Sequence, residues 1–326
     1  MSVAKMRTSL ALALFLLSLS ALYGFAQSVT SGDLTGTVTD TSGAVIPQAT
    51  VTLRSTSEGT SQTTVSNQSG SYHFSLLKPG NYVVSATAAN MSETRRSVDV
   101  QLGQISSVTL ALSPHGENQT IEVTAEAPLL QTENPNLTTT ITEKQIALQP
   151  NPGNDTTYYA QTTPGVVMNV GGNAGGYGNF AAFGLPPTSN LFTINGNDNN
   201  DPFLNLNNSG SSNLTLGANE MQEVAVVTNG YTAQYGRMAG VQMDSVTKSG
   251  SNQYHGNANY YWNGTTLNAN DWFNPSTNTP RPFAVNNQWS ASFGGPIIKN
   301  KTFFFVDTEG LRYVLPSVQN IFLPTQ

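Results

Sequence analysis

The chain carries three histidines, His73, His115 and His255, and none of them has a glutamate three positions on. The ligand set of a zinc carboxypeptidase needs a His-x-x-Glu pair and a third, distant His, so that chemistry has no ligand set here. The run Asn195, Asn197, Asn199 and Asp201 alternates oxygen-bearing side chains as a calcium loop does. Its sixth position is Asn200 rather than Gly and its twelfth is Leu206 rather than Glu, so a hydrogen-bonded turn is the expected reading. The glycine-rich run from Gly171 to Gly178 lacks the Lys-Ser/Thr of a phosphate loop and opens no helix. Zero cysteines remove thiol nucleophiles, disulfides and Cys-based zinc sites. No acid/base pair or nucleophile stands out either. We therefore assign no catalytic, cofactor-binding or metal-ligating residues, expect no cofactor, and do not expect an enzyme.

What remains is a chain suited to binding and to being bound, and its composition narrows the partner. Charged residues make up 10% of the 326, against a usual share of about 25%. The formal net charge is −6, which disfavours a phosphate-backbone partner, so no nucleic acid is expected. Lys5 and Arg7 precede an apolar stretch from Leu10 to Leu22, and Gly24-Phe25-Ala26 follows. That is the layout of a secretory signal peptide, residues 1–26, cleaved between Ala26 and Gln27. The apolar stretch is shorter than the roughly 20 residues needed to span a bilayer as a helix. No later segment is a helical span, so any further membrane role falls to strands.

Behind the leader the elements come in three textures. Residues 27–114 alternate short strands with turn chemistry. The strands expected are Leu34 to Thr39, Ala49 to Leu53, Thr63 to Val65, Tyr72 to Phe74, Tyr82 to Ala86, Arg96 to Leu102 and Ser107 to Leu112, with turns at Asp40-Thr41-Ser42-Gly43, Asn67-Gln68-Ser69-Gly70 and Lys78-Pro79-Gly80. One buried face per strand and this spacing predict a β-sandwich.

Residues 115–249 mix strands, short helices and long Gly/Asn loops, a small α+β domain. Thr142-Glu143-Lys144-Gln145 has the form of a capping box. Asp155 can cap a second short helix that Pro164-Gly165 ends. Strands are expected over Asn190 to Asn195, Glu223 to Thr228 and Gly240 to Thr247. Residues 250–326 hold all three tryptophans and about half of the aromatic residues. Tyr254, Gly256, Ala258, Tyr260 and Trp262 share one face of a strand, with His255, Asn257, Asn259 and Tyr261 on the other. Such alternation over about 10 residues is the pattern of an outer-membrane β-barrel wall, and a soluble sandwich shows the same alternation.

Specific runs carry two resemblances. Gly36 to Ala88, with GTVTD, IPQATVTL and SGSYHFSLLKPGNYVVSATA, resembles the carboxypeptidase regulatory-like domain, a transthyretin-type sandwich that serves as a structural or interaction module. TIEVTAEAPLLQT (Thr120 to Thr132), TTPGV (Thr162 to Val166), NLFTINGNDNND (Asn190 to Asp201), the run from Asn219 to Asn257 and FGGPIIKNKTFFFVDTEGLR (Phe293 to Arg312) resemble TonB-dependent outer-membrane receptors of the Oar-like kind. Asn195-Gly196 departs from the Asp-Gly common there, which puts in doubt any role needing a carboxylate at that position.

The resemblance implies a mainly β chain: a transthyretin-like sandwich, an α+β plug, and the first strands of an outer-membrane barrel of about 22 strands. With only about three wall strands, and Leu323-Pro324-Thr325-Gln326 in place of a terminal aromatic, the chain is expected to stop early in the wall. It implies an outer-membrane location with a periplasmic N-terminal domain, a bulky solute (oligosaccharide, iron chelate or peptide) as cargo, and a TonB-type energy-coupling protein as periplasmic partner. It also implies a TonB box, the segment that partner engages, at Thr120, Ile121, Glu122, Val123 and Thr124. The competing expectation is a surface or adhesion protein of the same architecture without transport.

Overall fold

The computed structural model describes residues 30–114, 123–124, 136–149, 156–168, 179–203, 205–206, 217–229, 231, 235–270, 272, 274–277 and 280–314. The signal peptide with its Ala26–Gln27 cleavage site, Thr120 to Glu122, Asp155 and the glycine-rich run 171–178 lie outside the described residues.

The sandwich is built from β1 (Gly32–Asp40), β2 (Thr50–Ser55), β3 (Ser61–Val65), β4 (Ser71–Leu77), β5 (Gly80–Thr87), β6 (Thr94–Val100), β7 (Ile105–Ser107) and β8 (Leu110–Leu112). One sheet runs β4-β1-β7 with β8 also on β1; the other contains β3-β2-β5-β6. Between them lies a core that includes Leu34, Val38, Val51, Leu53, Tyr72, Phe74, Val84 and Leu110, the inward residues of period-2 strands. Two turns repeat one device. Asp40 Oδ1 accepts the N–H groups of Ser42 and Ala44, and Asn67 Oδ1 accepts those of Ser69 and Ser71, so a short side chain replaces backbone partners at each chain reversal.

Residues 107–112 were expected as one strand and form two. Both β7 and β8 run parallel to β1 in a single register, Thr35 opposite Ser107 and Val38 opposite Leu110. Between them the Val108 carbonyl accepts the Tyr72 hydroxyl at 2.7 Å. It also presses on Gly36, where a Cβ would overlap it. A carbonyl taken by a buried tyrosine interrupts the ladder.

Next come β9 (Val123–Thr124), β10 (Leu137–Thr142), the helix α1 (Glu143–Leu148), a 3-10 segment Thr156–Thr162, β11 (Val166–Met168), β12 (Phe180–Ala182), β13 (Leu191–Ile194), β14 (Asn197–Asp198), a 3-10 turn Ala218–Glu220, β15 (Met221–Asn229) and β16 (Gln242–Thr247). The α+β sheet has the order β10-β15-β16-β13-β14. One face packs Ile141, Ile146, Tyr159, Phe180, Phe192, Val224, Val226 and Met243 into a second core, with Phe180 and Phe192 edge to face at 5.6 Å. At the start of α1 the N–H of Thr142 donates to Gln145 Oε1 at 2.9 Å, the backward arm expected of the capping box. Asn195 and Gly196 both have positive φ, 50° and 77°, the primed turn that Asn-Gly favours between paired strands.

The last sheet is a meander of β17 (His255–Gly264), β18 (Val285–Ile298) and β19 (Thr302–Val314). Among the described residues it is not closed into a barrel.

Candidate functional site

The register of the meander sorts its side chains by face. Asn257, Ser292 and Asp307 stand side by side, as do Asn259, Ser290 and Glu309. The alternate rows are Gly256, Phe293 and Val306, and Tyr260, Trp289 and Gly310. Directly opposed residues share a face, so one surface is polar and the other aromatic and small. Tyr260, Trp262, Trp289, Phe293 and Val306 are all exposed. That contiguous apolar surface is what a wall offers to lipid.

The α+β domain meets the polar face at Asn259, Asp307 and Glu309. The side chain of Asn219 donates to Asp307, and its backbone N–H donates to Glu309 Oε1 at 3.1 Å. Asn259 Nδ2 donates to Asn219 Oδ1 at 3.3 Å. Gly217 lies so close to the Glu309 carboxylate that a Cβ there would overlap it. Burial, and then the carboxylates of Asp307 and Glu309, push the neighbouring Glu220 up to about 7. One 3-10 turn thus seats the domain on the wall through polar contacts rather than through an apolar core.

The two ends of the wall differ. β18 and β19 are joined by a three-residue turn, 299–301, whereas residues 265–284 connect β17 to β18. Outer-membrane barrels have short periplasmic turns and long extracellular loops. The sandwich meets the short-turn end: Asn252 donates its N–H to the Ser57 carbonyl at 2.9 Å and its Nδ2 to the Glu58 carbonyl at 2.7 Å.

The sandwich also meets the α+β sheet. Glu223 of β15 accepts the N–H of the fully buried Leu102 at 3.1 Å. Gln104 donates to Thr140 Oγ1 at 2.7 Å, and Gln222 to the Pro79 carbonyl at 2.8 Å. Burial, reinforced by Asp99, pushes the Glu223 carboxyl up to about 8 against the pull of the Leu102 N–H. A second buried acid, Asp244, is raised to about 6 by burial although Thr193 and Gln242 donate to it. Both are structural groups that the sequence reading did not single out, because burial is a tertiary property.

Of the five residues expected as a TonB box, Val123 and Thr124 are described. They form β9, which runs parallel to β6 with Arg96 opposite Val123 and Ser97 opposite Thr124. Around the Asn/Asp run considered for calcium, several side chains are engaged in hydrogen bonds and an ion pair. Asn200 is buried and bonds to the Phe192 N–H and the Asn190 carbonyl, Asn195 bonds to Thr247, and Asp198 pairs with Arg237. Among the described residues no group of three or more His, Cys, Asp or Glu is arranged to hold a metal ion.

Three family models match in the order of these units: the carboxypeptidase regulatory-like domain over residues 33–113, the TonB-dependent receptor plug domain over 131–241, and an outer-membrane β-barrel domain over 246–326. In all three units and in their order the chain resembles the TonB-dependent receptors. Its α+β domain matches the plug and its meander the barrel wall, which locates it at the bacterial outer membrane. The TonB-dependent transporter Oar of Myxococcus xanthus is 27% identical over 296 residues, 87% of this chain and 27% of that protein. The chain therefore spans about a quarter of the length of the curated relative it matches. Among solved structures, the siderophore receptor PirA from Acinetobacter baumannii is similar over 53% of this chain and 24% of its own, at 19% identity and a TM-score of 0.39. The outer-membrane transporter YddB from Escherichia coli is similar over 54% and 26%, at 16% identity and a TM-score of 0.42.

Proposed function

We propose that the chain is the N-terminal portion of a TonB-dependent outer-membrane transporter that binds a bulky solute and imports it by energy-coupled movement of the plug. The observation that supports this best is the way the plug is seated. Asn219, Glu220 and Asn259 meet Asp307 and Glu309 through hydrogen bonds and like charges. A polar seat of this kind can be exchanged for water, each bond to a carboxylate contributing about 1.5–3 kcal/mol while the like charges of Glu220, Asp307 and Glu309 oppose it. An apolar seam would not separate so readily. The name of the Myxococcus relative, a TonB-dependent transporter, points the same way. An oligosaccharide, an iron chelate or a peptide each suits the polar inner face.

The energy would arrive through Thr120 to Thr124, the candidate TonB box, to which a periplasmic coupling protein adds a strand. Main-chain pairing supplies affinity there without a deep pocket. Binding of the coupling protein's C-terminal domain to the native chain, to Ile121→Pro and to Val123→Pro tests the box. Loss of binding in both variants is expected, and unchanged affinity refutes the assignment. For transport itself, uptake by the whole protein that a protonophore abolishes supports the reading. An attachment phenotype without uptake supports the adhesion role instead.

A further inference from the structure

We propose that the sandwich is a latch across the seam between plug and wall, fastened firmly to the plug and lightly to the wall. Displacing the plug then carries the sandwich along and breaks the wall contacts first. The domain touches both bodies at the same end of the molecule, and its two junctions are built differently.

Toward the plug the junction is closed. Leu102 is fully buried, its N–H is held by the buried Glu223, and the adjoining Gly103 (φ 67°) lies close enough to Tyr235 that a Cβ would stand 3.0 Å from the tyrosine hydroxyl. Gln104 to Thr140 and Gln222 to Pro79 flank this centre on both sides. Leu102 is fully buried and belongs to neither domain's core, so opening the junction returns its apolar side chain to water and is resisted.

Toward the wall the junction is thin. It consists of Asn252 bonded to the carbonyls of Ser57 and Glu58, with Asn300 bracing Asn252 at 2.9 Å, all at exposed or half-buried positions. Beside these contacts the sandwich sheet and the wall turns stand apart around a cleft of about 650 Å³, lined by Thr52, Arg54, Ser61, Arg95, Asn252 and Asn300. At such exposed or half-buried positions the exchange of a hydrogen bond for water costs little.

The latch rests on the transport reading only for its use; its asymmetry can be measured without any solute. With no native cysteine, spin labels can be placed in the whole protein in outer-membrane vesicles at Gln62→Cys of the sandwich, paired either with Lys299→Cys on the wall turn or with Lys144→Cys on the plug. Adding Asn252→Ala should broaden the Gln62–Lys299 distance distribution at least twofold and leave Gln62–Lys144 unchanged. Adding Glu223→Ala should broaden both, and Glu223→Gln, which keeps an acceptor for Leu102, should restore both. Should Asn252→Ala loosen the plug pair or fail to loosen the wall pair, the latch is overturned. The same holds if Glu223→Ala loosens neither. As a second readout, amide exchange should be at least tenfold faster at Asn252 than at Leu102, and equal rates would overturn the asymmetry. If the asymmetry stands while uptake proves absent, the transport reading fails and the latch survives as an architectural fact.

Discussion

The carboxyl of Glu223, on a strand at the heart of the plug sheet, accepts the backbone N–H of Leu102, 121 residues earlier, at 3.1 Å. The bond joins two domains at a place where neither residue touches solvent to any extent. Its chemistry makes the junction sensitive to pH.

The Glu223 carboxyl is raised from 4.5 to about 8 in the docked state. A carboxyl raised on folding contributes stability that is fully present below about 4.5 and lost as pH rises through about 8. Between those limits the loss is at most about 1.4 kcal/mol per pH unit. The urea midpoint of the chain should therefore fall from pH 5 to pH 8, and Glu223→Gln should flatten that slope. A slope unchanged by Glu223→Gln would show that other groups carry the pH dependence.

Asn200 closes the plug loop with buried bonds to the Phe192 N–H and the Asn190 carbonyl. Replacing it with alanine strands two buried polar groups and should cost about 2–4 kcal/mol, read as a lower thermal midpoint. Millimolar calcium should leave the midpoint of the native chain where it is. A calcium-dependent rise would revive the ion-binding alternative for this loop.

At the plug seat, Asn219→Asp adds a carboxylate beside Glu220, Asp307 and Glu309, whereas Asn219→Ala only removes hydrogen bonds. Limited proteolysis should cut the plug faster in the aspartate variant than in the alanine variant. Raising the salt concentration should narrow the gap, because like-charge repulsion is screened and a missing hydrogen bond is not. Equal cutting of the two variants at low salt would count against the charged seat.

The lengths of the wall connections fix a sidedness that labelling can read. A membrane-impermeant maleimide applied to intact cells should modify Ala269→Cys in the long β17–β18 connection and spare Lys299→Cys in the three-residue turn, both exposed positions. The reverse pattern would invert the orientation and place the sandwich outside.

The local patterns read from the sequence reappear where the chemistry is local. The Asp40 and Asn67 turns, the capping arm from Gln145, the Asn195-Gly196 reversal and the two faces of β17 each depend on residues within a few positions of one another. The 107–112 segment failed that test: alternation predicts one strand, and a tyrosine 36 residues earlier divides it.

By itself, then, the sequence determined the order of units and the face each strand buries, because period-2 alternation and turn chemistry are properties of neighbours. Its low charge belongs to the same level: a chain whose strands face lipid, a plug and a second sheet has few positions where a charge is solvated. Tertiary structure alone decided the seams. That Glu223 lies under Leu102, that Asn219 meets Asp307, and that Asn252 reaches Ser57 follow from how three units pack, and burial of a carboxyl acquires its energetic meaning only when residues from distant segments exclude water around it.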